Sequence, residues 1–195
     1  MTARPILFNG SMVRALLDGS KTQTRRIFKA KNGGVWPQIN DLPGMKQVLR
    51  NCPYGQPGDQ LWVRETFQPT FAPDVERDDT DWETGKGYQL RYSATDERVD
   101  WVDGDDNITR RCKPAIHMPR WASRITLEIT GVRVERLQDI SEADAVAEGA
   151  HHSVKWPGGR FASENYAHLW WTINGDGSWE ANPWVWVVEF KVVKP

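Results

Sequence analysis

The chain has 195 residues, 39% hydrophobic and 26% charged, a balance that supports a folded core and excludes wholesale disorder. Its 25 lysines and arginines stand against 26 acidic residues, so no global positive field draws it onto nucleic acid, and any such binding must use a local patch. Only Cys52 and Cys112 are present, which excludes a disulfide framework and a paired-cysteine zinc site and points to a reducing compartment. Residues 1–10 hold no apolar leader core and no stretch approaches the ~20 apolar residues of a membrane span, so a soluble cytoplasmic protein is expected.

In chain order, a short strand is expected at residues 6–8 and a helix over 11–17, with Met12, Ala15 and Leu16 forming its apolar stripe and Gly19 ending it. A strand follows over 22–28. At its entry stands Gly19-Ser20-Lys21-Thr22-Gln23-Thr24-Arg25-Arg26, which sets an amine beside a hydroxyl. An ordinary lysine is protonated and an ordinary threonine inert, so this pairing does chemistry only where burial or a neighbouring cation lowers the lysine pKa. A basic turn entering a strand accounts for the same residues. Strand alternation puts Thr22, Thr24 and Arg26 on one face, so Lys21 must sit on the turn before the strand for its amine to fold back towards Thr24.

Residues 29–57, rich in glycine, proline and asparagine, read as a long insertion, and 61–67 as the next strand. Arg64 and Glu65 point to opposite faces there, so at most one lines a cleft with Thr24, and structural ion pairs explain both equally well. A second insertion spans 68–118: an acidic, proline-punctuated stretch, a strand at 88–93, and a solvated hairpin tip at Asp103-Gly104-Asp105-Asp106-Asn107 without the glutamate of a calcium hand. Arg110, Arg111, Lys113, Arg120 and Arg124 form the most basic stretch, either a phosphate guide or a solvated face balanced by that acidic tip. Cys112, His117, His151 and His152 match no closed zinc spacing, so no metal is expected. Of 11 tryptophans, Trp184 and Trp186 share a face of a terminal strand, while Trp36, Trp82, Trp101 and Trp156 sit among polar residues as lids over the insertions or platforms for a base.

Beyond these, residues 124–134 alternate with Ile125, Leu127 and Ile129 on one face until Gly131 interrupts. Ser141 is placed to cap a helix, with Asp144 in the glutamate position of a capping box, Ile140 as staple and Gly149 as stop. Glu148 falls in the last turn, where the helix dipole opposes a carboxylate by about 0.3–1 kcal/mol, so a cationic partner or full exposure is expected. A second helix over 163–173 precedes a final strand at 184–190. The elements suggest an α+β fold: a small mixed, mostly antiparallel β-barrel with helices packed at its openings, one domain over 1–195 with insertions at about 29–57 and 68–118.

The string Leu17-Asp18-Gly19-Ser20-Lys21-Thr22-Gln23-Thr24-Arg25-Arg26 resembles the opening motif of ASCH domains, small barrels similar to the PUA RNA-binding fold. Gly58-Asp59-Gln60-Leu61-Trp62-Val63-Arg64-Glu65 resembles the family's Gly-Asp turn and central strand, the segment from Ile140 through Gly149 its later helix, and Trp186-Val187-Val188-Glu189-Phe190 its closing strand. The stretches 52–65 and 117–141 further resemble ASCH proteins of bacteriophages and prophages, which implies a bacterial host cytoplasm. Some minimal ASCH proteins are amidohydrolases that deacetylate N4-acetylcytidine through a lysine, a threonine and a glutamate. Lys21, Thr24 and Glu148 are the matching positions, with Arg25, Arg26, Arg64 and Glu65 as candidate substrate-binding residues and no cofactor. The resemblance implies that Thr24 attacks the amide while Lys21 moves the proton and Glu148 orients it, or that Lys21 stays charged and Glu148 is the base. Other family members are RNA binders or ribonucleases, so the alternative partner is RNA and the alternative activity a PUA-like binding module or ribonuclease.

Overall fold

The computed structural model describes residues 3–28, 47–72, 75–76, 79–97, 99–102, 107–150 and 161–193. Its strands are β1 (Ala3–Leu7), β2 (Gln23–Ile27), β3 (Gln60–Arg64), β4 (Phe67–Phe71), β5 (Tyr88–Tyr92), β6 (Trp101–Val102), β7 (Ile108–Thr109), β8 (Thr126–Arg136) and β9 (Trp184–Val192). Among the helices that accompany them are α1 (Gly10–Leu17), α2 (Glu142–Ala147) and α3 (Ala162–Asn174).

Five strands pair in the order β1-β3-β8-β9-β2, all antiparallel except β1 with β3. The fold is thus mixed α+β with a mostly antiparallel sheet. A closed barrel is not shown: β1 and β2 end the order, and no ladder joins them among the described residues. Side chains bridge that gap instead, since the Arg26 guanidinium on β2 donates to the Leu7 carbonyl on β1 and lies 5.2 Å over the Phe8 ring.

Strand alternation assigns the two faces. On one, Leu61, Val63, Leu127, Trp186, Val188 and Phe190 join Val13 and Leu16 of α1 in the larger core. On the other, Val185 and Val187 pack with Leu137, Ala145, Tyr166 and Trp170 around α2 and α3. Burial of each such side chain is worth about 1.5–3 kcal/mol, so the sheet is held from both sides. Trp186 stacks on Phe28 with ring centroids 4.9 Å apart, and Trp184 lies under the Arg136 guanidinium.

Two expectations from sequence need correction. The strand predicted over 61–67 breaks after Arg64, because Glu65 turns inward to a bidentate pair with Arg124 at 2.9 and 3.0 Å and Phe67 starts a different sheet. Gly131 interrupts the alternation as expected, without ending the strand. It forms a bulge between Ile129 and Gly131 within a strand of 11 residues, tight against the Glu189 side chain. The segment after residue 67 carries its own structure: β4 pairs β5, and Phe67, Met118 and Ala122 make a satellite core with Trp82, Leu90, Tyr92 and Trp121 packed on it. Trp82 stacks on Phe67 and stands edge-on to Trp121, which is the lid role rather than a free platform. Trp36 and Trp156 lie outside the described residues, as does the Trp101 side chain. β6 and β7 pair as the arms of a hairpin, its tip at 103–106 also outside them.

Candidate functional site

Asn9 starts α1, its side chain accepting from Met12 N at 2.9 Å, and Gly19 at φ +78° turns the chain out of the helix. Lys21 therefore precedes β2, as its side-chain direction required. Its backbone is held from two sides, by Lys21 N to Ala15 O at 2.9 Å and by a bridge to Glu148, and Thr22 N reaches Ala147 O at 2.8 Å. The other half of the site comes from the end of α2. Ser141 Oγ accepts from Asp144 N at 3.1 Å to start that helix, and Gly149 at φ +84° ends it beside Ala15 and Lys21. Only one half of the anticipated capping box forms, because the Asp144 carboxylate turns to Arg25 and Arg133 at 3.1 and 2.9 Å.

Glu148, at the C-cap of α2, has the cationic partners that its position against the dipole demanded. Lys21 Nζ donates to Glu148 Oε2 at 2.7 Å and to its backbone oxygen at 2.9 Å, and Arg25 Nη1 donates to Oε1 at 3.3 Å. All three residues are at most 3% exposed. Burial is the largest influence on the Lys21 amine and drives its pKa below 10.5; Glu148 opposes this, and the charges of Arg26 and Arg25 reinforce it. A neutral amine donating two N–H bonds retains one lone pair able to accept a proton.

Thr24, on the face that bears Arg26, opens onto a cleft of ≈ 60 Å³ between α1, β2 and α3. Because β2 is the last strand of the sheet, groups from both its faces reach this cleft: Thr24 and Arg26 from one, Arg25 from the other. Glu148 and Tyr166 complete its polar wall, and Met12, Ile27, Leu169, Trp170 and Ile173 supply the apolar one. A single water occupies about 10–15 Å³ on this measure, so the cleft has room for a small group of several atoms. Lys21 is not part of the wall and reaches the cleft through Glu148.

The other candidate residues are placed differently. Arg25 was read as substrate-binding, yet its guanidinium is enclosed by Glu135, Asp144 and Glu148 and lies 5.8 Å over the Tyr166 ring. It organises the site, and the part of it that reaches the cleft wall is held by these carboxylates. Arg26 lines the cleft while spending one nitrogen on Leu7. Arg64 and Glu65 do not line it: Arg64 lies 4.7 Å over the Trp62 ring and Glu65 belongs to Arg124. The basic stretch is matched locally, Arg110 by Asp100, Arg124 by Glu65 and the Tyr92 ring, and Lys113 by the Trp82 ring at 3.9 Å. Among the described residues no group of three or more His, Cys, Asp or Glu is disposed to hold a metal, and His151 and His152 fall outside them. Tyr166 went unread in the sequence, where the helical pattern marks it only as core.

No protein-family profile and no curated protein matches the chain. Among solved structures it is similar to an ASCH domain from Lactobacillus crispatus JV V101, at 14% identity and a TM-score of 0.41, covering 100% of this chain and 81% of that one. It is also similar to a protein from Enterococcus faecalis V583, at 11% identity and a TM-score of 0.41, again covering 100% of this chain and 81% of the other.

Proposed function

We propose that the chain is an ASCH-type amidohydrolase, built on a PUA-like barrel, that removes an acyl group from a modified nucleoside such as N4-acetylcytidine. The observation that carries this reading is the buried Lys21–Glu148 pair set against a cleft that also holds Thr24. A protein-only amidohydrolase needs a nucleophile, a proton acceptor held in a dry setting, and room for the acyl group. The motif from Gly19 to Arg26, with Glu148, supplies these three in one place.

In the reaction, Thr24 Oγ adds to the amide carbonyl carbon, its proton passes to the Lys21–Glu148 pair, and the carbonyl π electrons move onto oxygen. Lys21 Nζ and Glu148 Oε2 stand 2.7 Å apart, so either the amine or the carboxylate can take up the proton and pass it to the other. When the tetrahedral species collapses, the C–N bond breaks and the same pair returns the proton to the departing cytosine nitrogen. Water then adds to the acyl-threonine carbonyl, giving its proton to the pair. The C–Oγ bond breaks, Thr24 recovers a proton, and a carboxylic acid leaves.

The alternative, an RNA-binding module, asks Lys21, Arg25 and Arg26 to contact phosphates. Lys21 and Arg25 are 1% and 3% exposed and bonded to carboxylates, which counts against it. The deciding measurement is release of cytidine from N4-acetylcytidine by the purified protein and by folded Lys21→Met, Thr24→Ala and Glu148→Gln variants. Turnover by the wild type and its loss by about 10²–10⁴-fold in each variant is expected. Absence of turnover on a panel of N-acyl nucleosides, with salt-sensitive RNA binding in its place, would favour the alternative.

A further inference from the structure

Acyl transfer builds negative charge on the carbonyl oxygen, and a donor must stand ready for it. Most of the donors around the cleft are already committed. Lys21 Nζ is bonded to Glu148, the Arg25 Nη groups to Glu135, Asp144 and Glu148, and Arg26 Nη2 to the Leu7 carbonyl. The Nε atoms of Arg25 and Arg26 have no partner, but both are sealed from solvent, so a substrate atom cannot reach them in this conformation. The Thr24 hydroxyl is the attacking group, and the Glu148 carboxylate accepts.

Tyr166 remains. It projects from α3 as a wall of the same cleft as Thr24 and Glu148, and its hydroxyl makes no hydrogen bond among the described residues. Its ring is fixed by Arg25 on its face at 5.8 Å, by Trp170 at 6.2 Å and by Trp179 edge-on at 6.4 Å. A side chain so constrained keeps its oxygen in one place.

We propose that the Tyr166 phenol O–H donates to the carbonyl oxygen of the bound acyl group and holds the negative charge that oxygen gains when Thr24 attacks. The proposal rests on the amidohydrolase reading and extends it to a fourth residue that contacts substrate. The phenol suits the task because it stays protonated: burial first, then the Glu148 charge, raises its pKa well above 10 despite Arg25 and Arg26. It therefore donates a hydrogen bond at neutral pH without carrying a charge of its own.

The test is Tyr166→Phe, which removes one oxygen and keeps the ring packed against Arg25 and the tryptophans. Loss of an oxyanion donor predicts a fall in kcat of about 10²–10³ with KM little changed. The second readout does not need turnover: the infrared carbonyl stretch of N4-acetylcytidine, labelled with ¹³C at the acetyl carbonyl, bound to Thr24→Ala. It should lie at lower frequency than in water and move back up when Tyr166→Phe is added. Full activity in Tyr166→Phe, or an unmoved carbonyl band, overturns the role of Tyr166 and leaves the amidohydrolase reading standing. A wild type that binds the nucleoside with a Tyr166-dependent band but never cleaves it removes the amidohydrolase reading and keeps Tyr166 as the carbonyl donor. A wild type that neither binds nor cleaves removes both.

Discussion

Lys21, Glu148 and Arg25 act as one charged unit, and the sign of each interaction sets a pH behaviour. Arg25 favours the deprotonated Lys21 amine, so Arg25→Gln should move the acid limb of kcat/KM to higher pH, as the pair then holds its proton more tightly. The check is the pH–rate profile of the folded variant beside wild type; a limb moving to lower pH would mean that Arg25 does not act through the pair. The closeness of Lys21 and Thr24 was legible because both lie inside one short motif, and the helix dipole at Glu148 left a cation or full exposure, of which the structure has the cation. Arg25 was misread. Its partners Glu135, Asp144 and Glu148 lie more than 100 residues further along the chain, a distance over which charge pattern says nothing about pairing. Tyr166 escaped for a related reason, since a buried aromatic on a helix looks the same whether its oxygen meets core or cleft.

At the scale of elements, the site depends on how α2 stops. Gly149 takes φ +84°, with Gly149 N to Val146 O at 2.8 Å and Ala150 N to Ala145 O at 3.1 Å closing the last turn, and this stop aims Glu148 at Lys21. Gly149→Ala should cost about 1–3 kcal/mol from the left-handed backbone alone, with a further squeeze because the new Cβ stands 3.3 Å from Ala15. Urea unfolding would measure the loss, and activity should fall more than stability as the carboxylate is displaced; an unchanged midpoint would show that the stop is not needed. α2 also fixes α3, because the Glu142 carboxylate accepts from Ala162 N at 2.7 Å and Ser163 N at 3.2 Å. Strand periods and caps located most of these elements from sequence to within two or three residues. The break between β3 and β4 was hidden, since Leu61 to Phe67 is uniformly strand-like and only the distant Arg124 reveals where the chain turns.

The molecule as a whole has two cores on the central sheet and a third, smaller one under β4 and β5. The small core holds three buried side chains, roofed by Trp82 and Trp121, whose indole donates to Trp82 O at 2.8 Å. With so little apolar surface of its own, this satellite should open locally before the sheet does, a separation that hydrogen exchange can resolve. Amides of β4 and β5 are expected to exchange well ahead of those in β8 and β9, and simultaneous exchange would show one cooperative unit. The satellite contributes no residue to the cleft, so opening it should leave the site standing.

The topology also bears on how the protein is made. Among the described residues β2, which follows Lys21 and carries Thr24, finds its ladder partner in β9, the last strand described, and Phe190 N closes on Thr22 O at 2.8 Å. A nascent chain on the ribosome thus exposes Lys21 and Thr24 well before residues 184–192 emerge to fasten β2. The setting of Lys21 and Thr24 is thus completed late, and a chain released before β9 keeps the whole motif in its sequence without the strand that holds it in place.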